Sequence, residues 1–380
     1  MGAVPNFRPI PSRMASVCAI AMLVVAAVVA AVFVRLHAPP RPPPRVRSTA
    51  RSGRASAAHP EPPSAWSWKA VGEEDALLYA RATGSALRAG QYASAPANQH
   101  FRMYCGCCFL VATVQCVQDR MNIAARDSVR GSDFRVYEFD LQRAVDDFSK
   151  AHARAQRSLE ETGIHMQQSN GTTWNACMGG EPVDVAAALL SGALRLVRAH
   201  PWARWTSRAC SSSAGEEERG NDARIAYPIR DYRLLDPEDI AGLKAAVLRG
   251  PLVVGVRSDA LWRMRAGRPV QCEGGAGADR DHVVSVVGWR QVDGLGDHWV
   301  ARNSWGNGRD EAIWSRPADV RACTQDCAAS AGGAPGACES APVVWTNDAH
   351  EDGLVLLPVC PNTNCAGIYD APSGWLEVLV

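Results

Sequence analysis

The sequence has almost no charge imbalance. Forty Lys plus Arg face 39 Asp plus Glu across 380 residues, leaving +1 at neutral pH. A surface without a dominant sign gives no electrostatic reason to bind nucleic acid, and no such partner is expected. No internal repeat is visible, which argues against a solenoid or propeller. Residues 38–64 carry almost no large apolar side chain. A Pro-, Arg-, Ser- and Ala-rich stretch of this kind cannot bury enough surface to fold. It is expected to be an extended stalk or short pro-segment, with exposed arginines that a processing protease could cut. Cys323 and Cys327 have zinc-like spacing, but no suitably spaced His follows, so a disulfide-bearing loop is the better reading. No metal or cofactor is expected.

What the chain does have is cysteine and one long uncharged run. Thirteen cysteines suggest an oxidising compartment with several disulfides, and an odd number leaves at least one thiol unpaired if all pairing is internal. Residues 15–34 contain no charge over twenty positions, enough at 1.5 Å per residue to span about 30 Å of bilayer core. They are read as an uncleaved signal anchor, with a cleaved signal peptide as the alternative because such peptides have shorter apolar cores. Arg41, Arg45 and Arg47 downstream outnumber Arg8 and Arg13 upstream, which alone would keep the bulk of the chain cytosolic. The cysteines argue for a lumenal or extracellular domain, and they are given more weight. The expected layout is a short tail (1–14), the anchor (15–34), the stalk (35–64) and one domain (65–380) with insertions near 70–90 and 308–344. The chain is expected to be a monomer held to a membrane by its N-terminal helix.

From Trp66 onward the pattern is globular. Apolar residues recur at three- and four-residue steps over 74–89, 108–122, 136–158 and 182–199, which predicts helices. A further helix is predicted over 235–249, opening at Asp236-Pro237. After Gly250 the texture changes to short Val-rich runs, GPLVVGV, DHVVSVVGW and HWVARNSW, which predict strands. Helices first and strands later predict an α+β protein.

Three separated segments carry the chemistry. In NQHFRMYCGCCFLVATVQCVQDRMNI (98–123), Cys108 stands just before a helix-periodic run. A thiol there feels the positive end of the helix dipole, which favours the thiolate. DHVVSVVGW places His282 at a strand start, and WVARNSWG places Asn303 at a strand end. A Cys, a His and an Asn in this order form a nucleophile, a base and an orienting group.

These segments resemble the papain family of cysteine peptidases, and within it the cathepsin X (cathepsin Z) branch most of all. The similarity lies at WSWK (66–69), YAS and NQH (92–100), YCGxC around Cys108, DRxNI (119–123), HVVSVxGW (282–289) and RNSWG (302–306), and more weakly at NCAGIYDAP (364–372). The resemblance implies a two-lobed papain-like fold, with a helical left lobe, a β-barrel-like right lobe and an active site in the cleft between them. It implies that Cys108 attacks a peptide carbonyl to form a thioester, that His282 shuttles the proton, and that Asn303 holds the imidazole. Trp305 would shield that pair, and Gln99 would donate to an oxyanion hole with the backbone N–H of Cys108. Cys177 would pair with Cys105, and Gly179 and Gly180 would bind the substrate backbone. Substrates would be peptides or proteins.

In this branch three extra residues separate the Gln from the nucleophile, as Gln99 and Cys108 are separated here. That mini-loop carries a His, matched by His100, that contacts the substrate's C-terminal carboxylate, so the resemblance implies a carboxypeptidase. Arg102 is a second cation in the loop. An endopeptidase, or an inactive membrane-tethered binding protein, are the alternatives. Three positions depart from the family pattern. Phe109 follows the nucleophile where Trp is usual. Cys107 replaces a Ser. Arg309-Asp310 stand where a second Trp-Gly is expected, and that motif is expected to resume near Glu351-Asp352-Gly353. A Cys272–Cys365 bridge and glycosylation at Asn170 are further expectations.

Overall fold

In a computed structural model of the chain, the described residues are 62–102, 105–161, 174–199, 206–207, 224–225, 228–258, 261, 281–306, 353–359 and 375–380. The helices are α1 (Glu73–Thr83), α2 (Cys108–Ala124), α3 (Leu141–Glu161), α4 (Pro182–Ser191) and α5 (Ile240–Leu248). The strands are β1 (Trp66–Ser67), β2 (Asn98–Arg102), β3 (Leu196–Val197), β4 (Thr206–Ser207), β5 (Arg224–Ile225), β6 (Asp231–Leu235), β7 (Leu252–Val256), β8 (His282–Val292), β9 (Gly296–Arg302), β10 (Leu354–Pro358) and β11 (Trp375–Leu379). The expected anchor at 15–34, most of the stalk, Asn170, Cys272, the 308–344 insertion and the 364–372 tail lie outside the described residues. Among the described residues no helix is long and apolar enough to cross a membrane.

The helices fall where periodicity placed them, but their ends differ. The expected 74–89 helix stops at Thr83, because Gly84 takes a left-handed conformation at its C-cap and its N–H closes on the Ala80 carbonyl. The expected 182–199 helix stops at Ser191 for the same reason, with left-handed Gly192 following. The expected start at Asp236-Pro237 is corrected. Residues 231–235 form β6, and α5 begins only after Asp239, whose carboxylate accepts the Gly242 N–H at 2.8 Å.

The main sheet runs β10–β9–β8–β7–β11–β6, with β1 added on β8. Its pairs are antiparallel. β10 and β6 are its two edges, so among the described residues the sheet is open, and the barrel-like arrangement expected of the right lobe is not seen to close. A bulge interrupts β8 against β9 between Val286 and Gly288, and the Val287 carbonyl there accepts the Trp68 N–H at 3.0 Å. Gly288 is required at this point: a Cβ on it would stand 2.0 Å from the Trp66 carbonyl oxygen. The 70–90 insertion leaves and returns at one place, since Val71 and Gly90 exchange backbone hydrogen bonds at 2.9 Å. Tyr79 of α1 stacks on Trp66 and packs edge-on against Trp68.

Buried apolar side chains form two clusters. One joins the sheet to Trp66, Trp68, Trp289, Trp299 and Trp375, and the other surrounds α2, α4 and the first two turns of α3. In α2 every residue except Met121 and Ala124 is buried. A helix apolar on all sides belongs inside a core, yet this one carries Asp119 and Arg120. Arg120 donates to the Pro251 and Gly250 carbonyls at 2.9 Å and lies 3.4 Å from Glu377 of β11. Arg249 and Arg233 complete the shell around that fully buried carboxylate. Burial alone would raise the Glu377 carboxyl, but the arginines more than reverse this and hold it below the usual carboxylate range. Removing one member of a buried charge cluster leaves the others uncompensated. Glu377→Gln is expected to lower the unfolding free energy by about 3–5 kcal/mol, measured by urea denaturation.

Candidate active site

Cys108 is the first residue of α2, with Cys107 as its N-cap. The Cys107 carbonyl accepts the N–H groups of Leu110 and Val111, so the thiol is carried on a closed helical turn. Burial pushes the Cys108 thiol up to about 11. Backbone groups of Val283, Phe109 and Cys108 itself oppose that rise, and Asp281 adds to it. The contact with Val283 sets Cys108 against the start of β8, one residue past His282. Four residues along α2, the Ala112 carbonyl accepts the Ser285 hydroxyl of β8 at 3.2 Å, which keeps helix and strand in step.

His282 opens β8 and Asn303 follows the last residue of β9. Ser285 pairs with Arg302, so the antiparallel register brings the two side chains together. His282 Nε2 lies 2.8 Å from Asn303 Oδ1. The same oxygen accepts the Ser304 N–H at 2.8 Å, which identifies it as the carbonyl end of the amide. Nε2 must therefore carry the hydrogen, and Nδ1 is the ring nitrogen able to take a proton. Trp305 lies over the imidazole with ring centroids 4.8 Å apart. Burial pulls the His282 imidazole down to about 4, against the bond from Asn303 and the charge of Asp281, both of which favour the protonated ring.

Gln99 lies in β2. Its side-chain Nε2 donates to the Cys105 carbonyl at 3.0 Å, and its Oε1 accepts the Ser304 hydroxyl. Its backbone N–H meets the Ser304 carbonyl at 2.8 Å, and its carbonyl accepts the Cys105 N–H at 3.0 Å. His100 also lies in β2, which pairs in parallel with β4. The side chains of His100 and Arg102 are outside those described.

The Cys105–Cys177 disulfide is present, and the Gly106 N–H meets the Cys177 carbonyl at 2.8 Å beside it. The two glycines after Cys177 differ. A Cβ on Gly179 would meet nothing within 4 Å, whereas one on Gly180 would stand 2.7 Å from the Phe109 ring. Gly179 faces open space, and Gly180 makes room for Phe109. That ring is fully buried and packs edge-on against Phe148.

Sequence reasoning missed three supports. Ser304 links Gln99 to Asn303, although it stands inside the RNSWG motif. Asp281 is held by Ser258 at the end of β7, through its N–H at 2.7 Å and its hydroxyl at 2.6 Å. Arg302 reaches Asp119, a residue of the DRxNI motif, at 2.7 Å. The chain also rejoins the site where the motif was expected to resume: the Asn303 N–H meets the Gly353 carbonyl at 3.0 Å.

The model of papain family cysteine proteases matches residues 142–331, half of the sequence, including His282 and Asn303. The chain belongs to the papain family of cysteine proteases. It is 24% identical over 262 residues to cathepsin Z of Onchocerca volvulus, covering 67% of this chain and 69% of that one. Solved structures similar to it include procathepsin L 3 of Tenebrio molitor larval midgut, at 16% identity and TM-score 0.47, covering 86% of this chain and 72% of that one. The bromelain protease of Ananas comosus is similar at 14% identity and TM-score 0.45, covering 84% and 99%.

In Cys108→Ala no thiol can share a proton with His282, which is then simply a buried imidazole. Between about pH 6.5 and 4 the unfolded chain takes up a proton that the folded chain refuses, so stability falls as pH falls. The loss is expected to reach about 3 kcal/mol. Comparing Cys108→Ala with Cys108→Ala/His282→Gln in urea unfolding across this range isolates the effect, because the double variant should lack that part of the slope.

Proposed function

We propose that the chain is a thiol peptidase that works through a thioester and trims residues from peptide C-termini. The observation that carries the peptidase reading is the His282 Nε2–Asn303 Oδ1 bond at 2.8 Å, beside a thiol at a helix N-terminus. In this reading Nδ1 of His282 takes the Cys108 proton as the sulfur attacks the carbonyl. The Nε2–H bond to Asn303 holds the imidazolium. Gln99 Nε2 and the Cys108 backbone N–H receive the oxyanion. His282 then returns the proton to the leaving amine, and water hydrolyses the thioester. Gly179 and Gly180 are proposed as the strip along which substrate backbone lies, with Trp305 as the cover over the His–Asn pair. The two-lobed arrangement with a cleft belongs to the same proposal.

The carboxypeptidase reading rests on the nine-residue step from Gln99 to Cys108, with His100 inside it, and on the similarity to cathepsin Z. A cation there would pair with a free C-terminal carboxylate. The Cys105–Cys177 disulfide supports an oxidising location, secretory or endolysosomal. The uncharged run at 15–34 supports anchoring there.

Peptides with free and amidated C-termini, incubated with the protein and followed by mass spectrometry, test both readings. Cys108→Ala is expected to abolish cleavage, and normal trimming by that variant would refute the thiol mechanism. Gln99→Ala is expected to lower kcat by about 10²–10³. His100→Ala is expected to erase the preference for free C-termini while leaving Cys108 reactive toward a thiol-directed epoxide. A variant with unchanged preference and rate would refute the role of His100, and wild-type protein that cuts free and amidated C-termini alike would leave an endopeptidase.

A further inference from the structure

Arg302 immediately precedes Asn303, and its side chain is 1% exposed. Among the described residues, its side-chain hydrogen bonds all run through one nitrogen. Nη1 donates to Asp119 Oδ2 at 2.7 Å, to the Ser94 hydroxyl at 2.7 Å and to the Ser94 carbonyl at 3.1 Å. Nε and Nη2 have no partner among the described residues. The other carboxylate oxygen of Asp119 accepts the Ser94 N–H at 2.8 Å. Asp119, Ser94 and Arg302 thus close a triangle, buried at the two charges and half-buried at Ser94, that joins α2, the loop before β2 and the end of β9. Cys116 of α2 also lies in the field of this guanidinium.

The sheet already fixes the backbone around Arg302. Ser285 and Leu354 are its partners on either side, and the Asn303 N–H meets the Gly353 carbonyl. Hydrogen bonds within a sheet do not set the distance from that sheet to a helix lying on it. Asp119 stands eleven residues along α2 from Cys108, about 16 Å at 1.5 Å per residue. A bond from that point to the residue beside Asn303 ties the nucleophile's helix to the strand end that carries the orienting amide. We propose that Arg302 is a positioning residue for the peptidase reaction, locking Asn303 in place through Asp119 of the helix that bears Cys108. This rests on the reading of Cys108, His282 and Asn303 given above.

The geometry distinguishes this role from bulk stability. The Oδ1 of Asn303 favours the protonated His282 ring. An Asn303 that drifts supports the imidazolium less, so the alkaline limb of the pH profile should move down. Asp281 is the charge that acts on that ring, and it is held by Ser258, away from Arg302. Arg302→Lys is an informative control. Nη1 offers two hydrogens to three acceptors, whereas an ammonium offers three.

The test uses the full-length protein, with active sites counted by a thiol-directed epoxide so that kcat refers to reactive Cys108 alone. Arg302→Met is expected to lower kcat by about 10–100-fold, the scale of a sub-ångström to ångström misplacement, with KM within about twofold of wild type. The alkaline limb of kcat/KM should fall by about half a pH unit, the equivalent of weakening one hydrogen bond. Arg302→Lys should recover most of both. Asp119→Asn keeps the acceptor for the Ser94 N–H while removing the charge, and should shift both readouts in the same direction by less. It carries the test if Arg302→Met does not fold. A variant that melts earlier but keeps kcat per titrated site and an unmoved pH profile overturns the proposal. Wild-type protein whose cleavage does not depend on Cys108 overturns the underlying reading instead, and the two results are separable.

Discussion

Two adjacent opposite charges on a helix with almost no exposed face constrain everything around the site. Asp119 and Arg120 point from α2 to different partners, Arg302 at the end of β9 and Glu377 within β11. Each buried charge is costly unless its partner stands within hydrogen-bond distance. The helix must therefore sit where both pairs are made at once. Cys108 is at the far end of the same rigid element. Its location against β8 follows from contacts made up to three helical turns away.

The opposite side of the site is set covalently and by hydrogen bonds through a few atoms. The Cys105–Cys177 disulfide and the Gly106 contact hold the approach to α2. Ser304 then connects this side to the other. Its hydroxyl serves Gln99, its N–H serves Asn303, and its carbonyl receives the Gln99 N–H. The departure at Phe109 takes on a physical meaning here. The ring fills the space a Gly180 side chain would occupy and contacts Phe148, so the substitution is absorbed in the core beneath the glycines and leaves Gly179 facing open space.

Much of this was legible in the sequence. Helix α2 could be read from its apolar steps, β8 from its valines, and the Cys105–Cys177 pairing from a family resemblance. Its limits were also specific. Gly84 and Gly192 end their helices through left-handed caps that periodicity does not weigh. Residues 231–235 form a strand because β11, 140 or more positions later, supplies the partner. The DRxNI motif served as a mark of kinship, while its work, pairing with Arg302 and Glu377, depends on contacts across more than 180 and 250 positions. The open sheet could not be read at all, since strand order is a property of the pairing and not of any one strand.

Burial works against the thiolate of Cys108 and against the imidazolium of His282 when each is considered alone. A free-standing charge of either sign would therefore be unfavourable here. In the proposed reaction, transfer of the proton from sulfur to Nδ1 would create both charges in one step, and each would then meet the field of the other. The helix N-terminus and the backbone of Val283 stabilise the sulfur, and Asn303 Oδ1 stabilises the ring. In the proposed reaction the thiolate and the imidazolium are thus formed and held together as a pair, provided the ring, the amide and the helix end hold their spacing. That spacing is what the buried charges of α2 enforce.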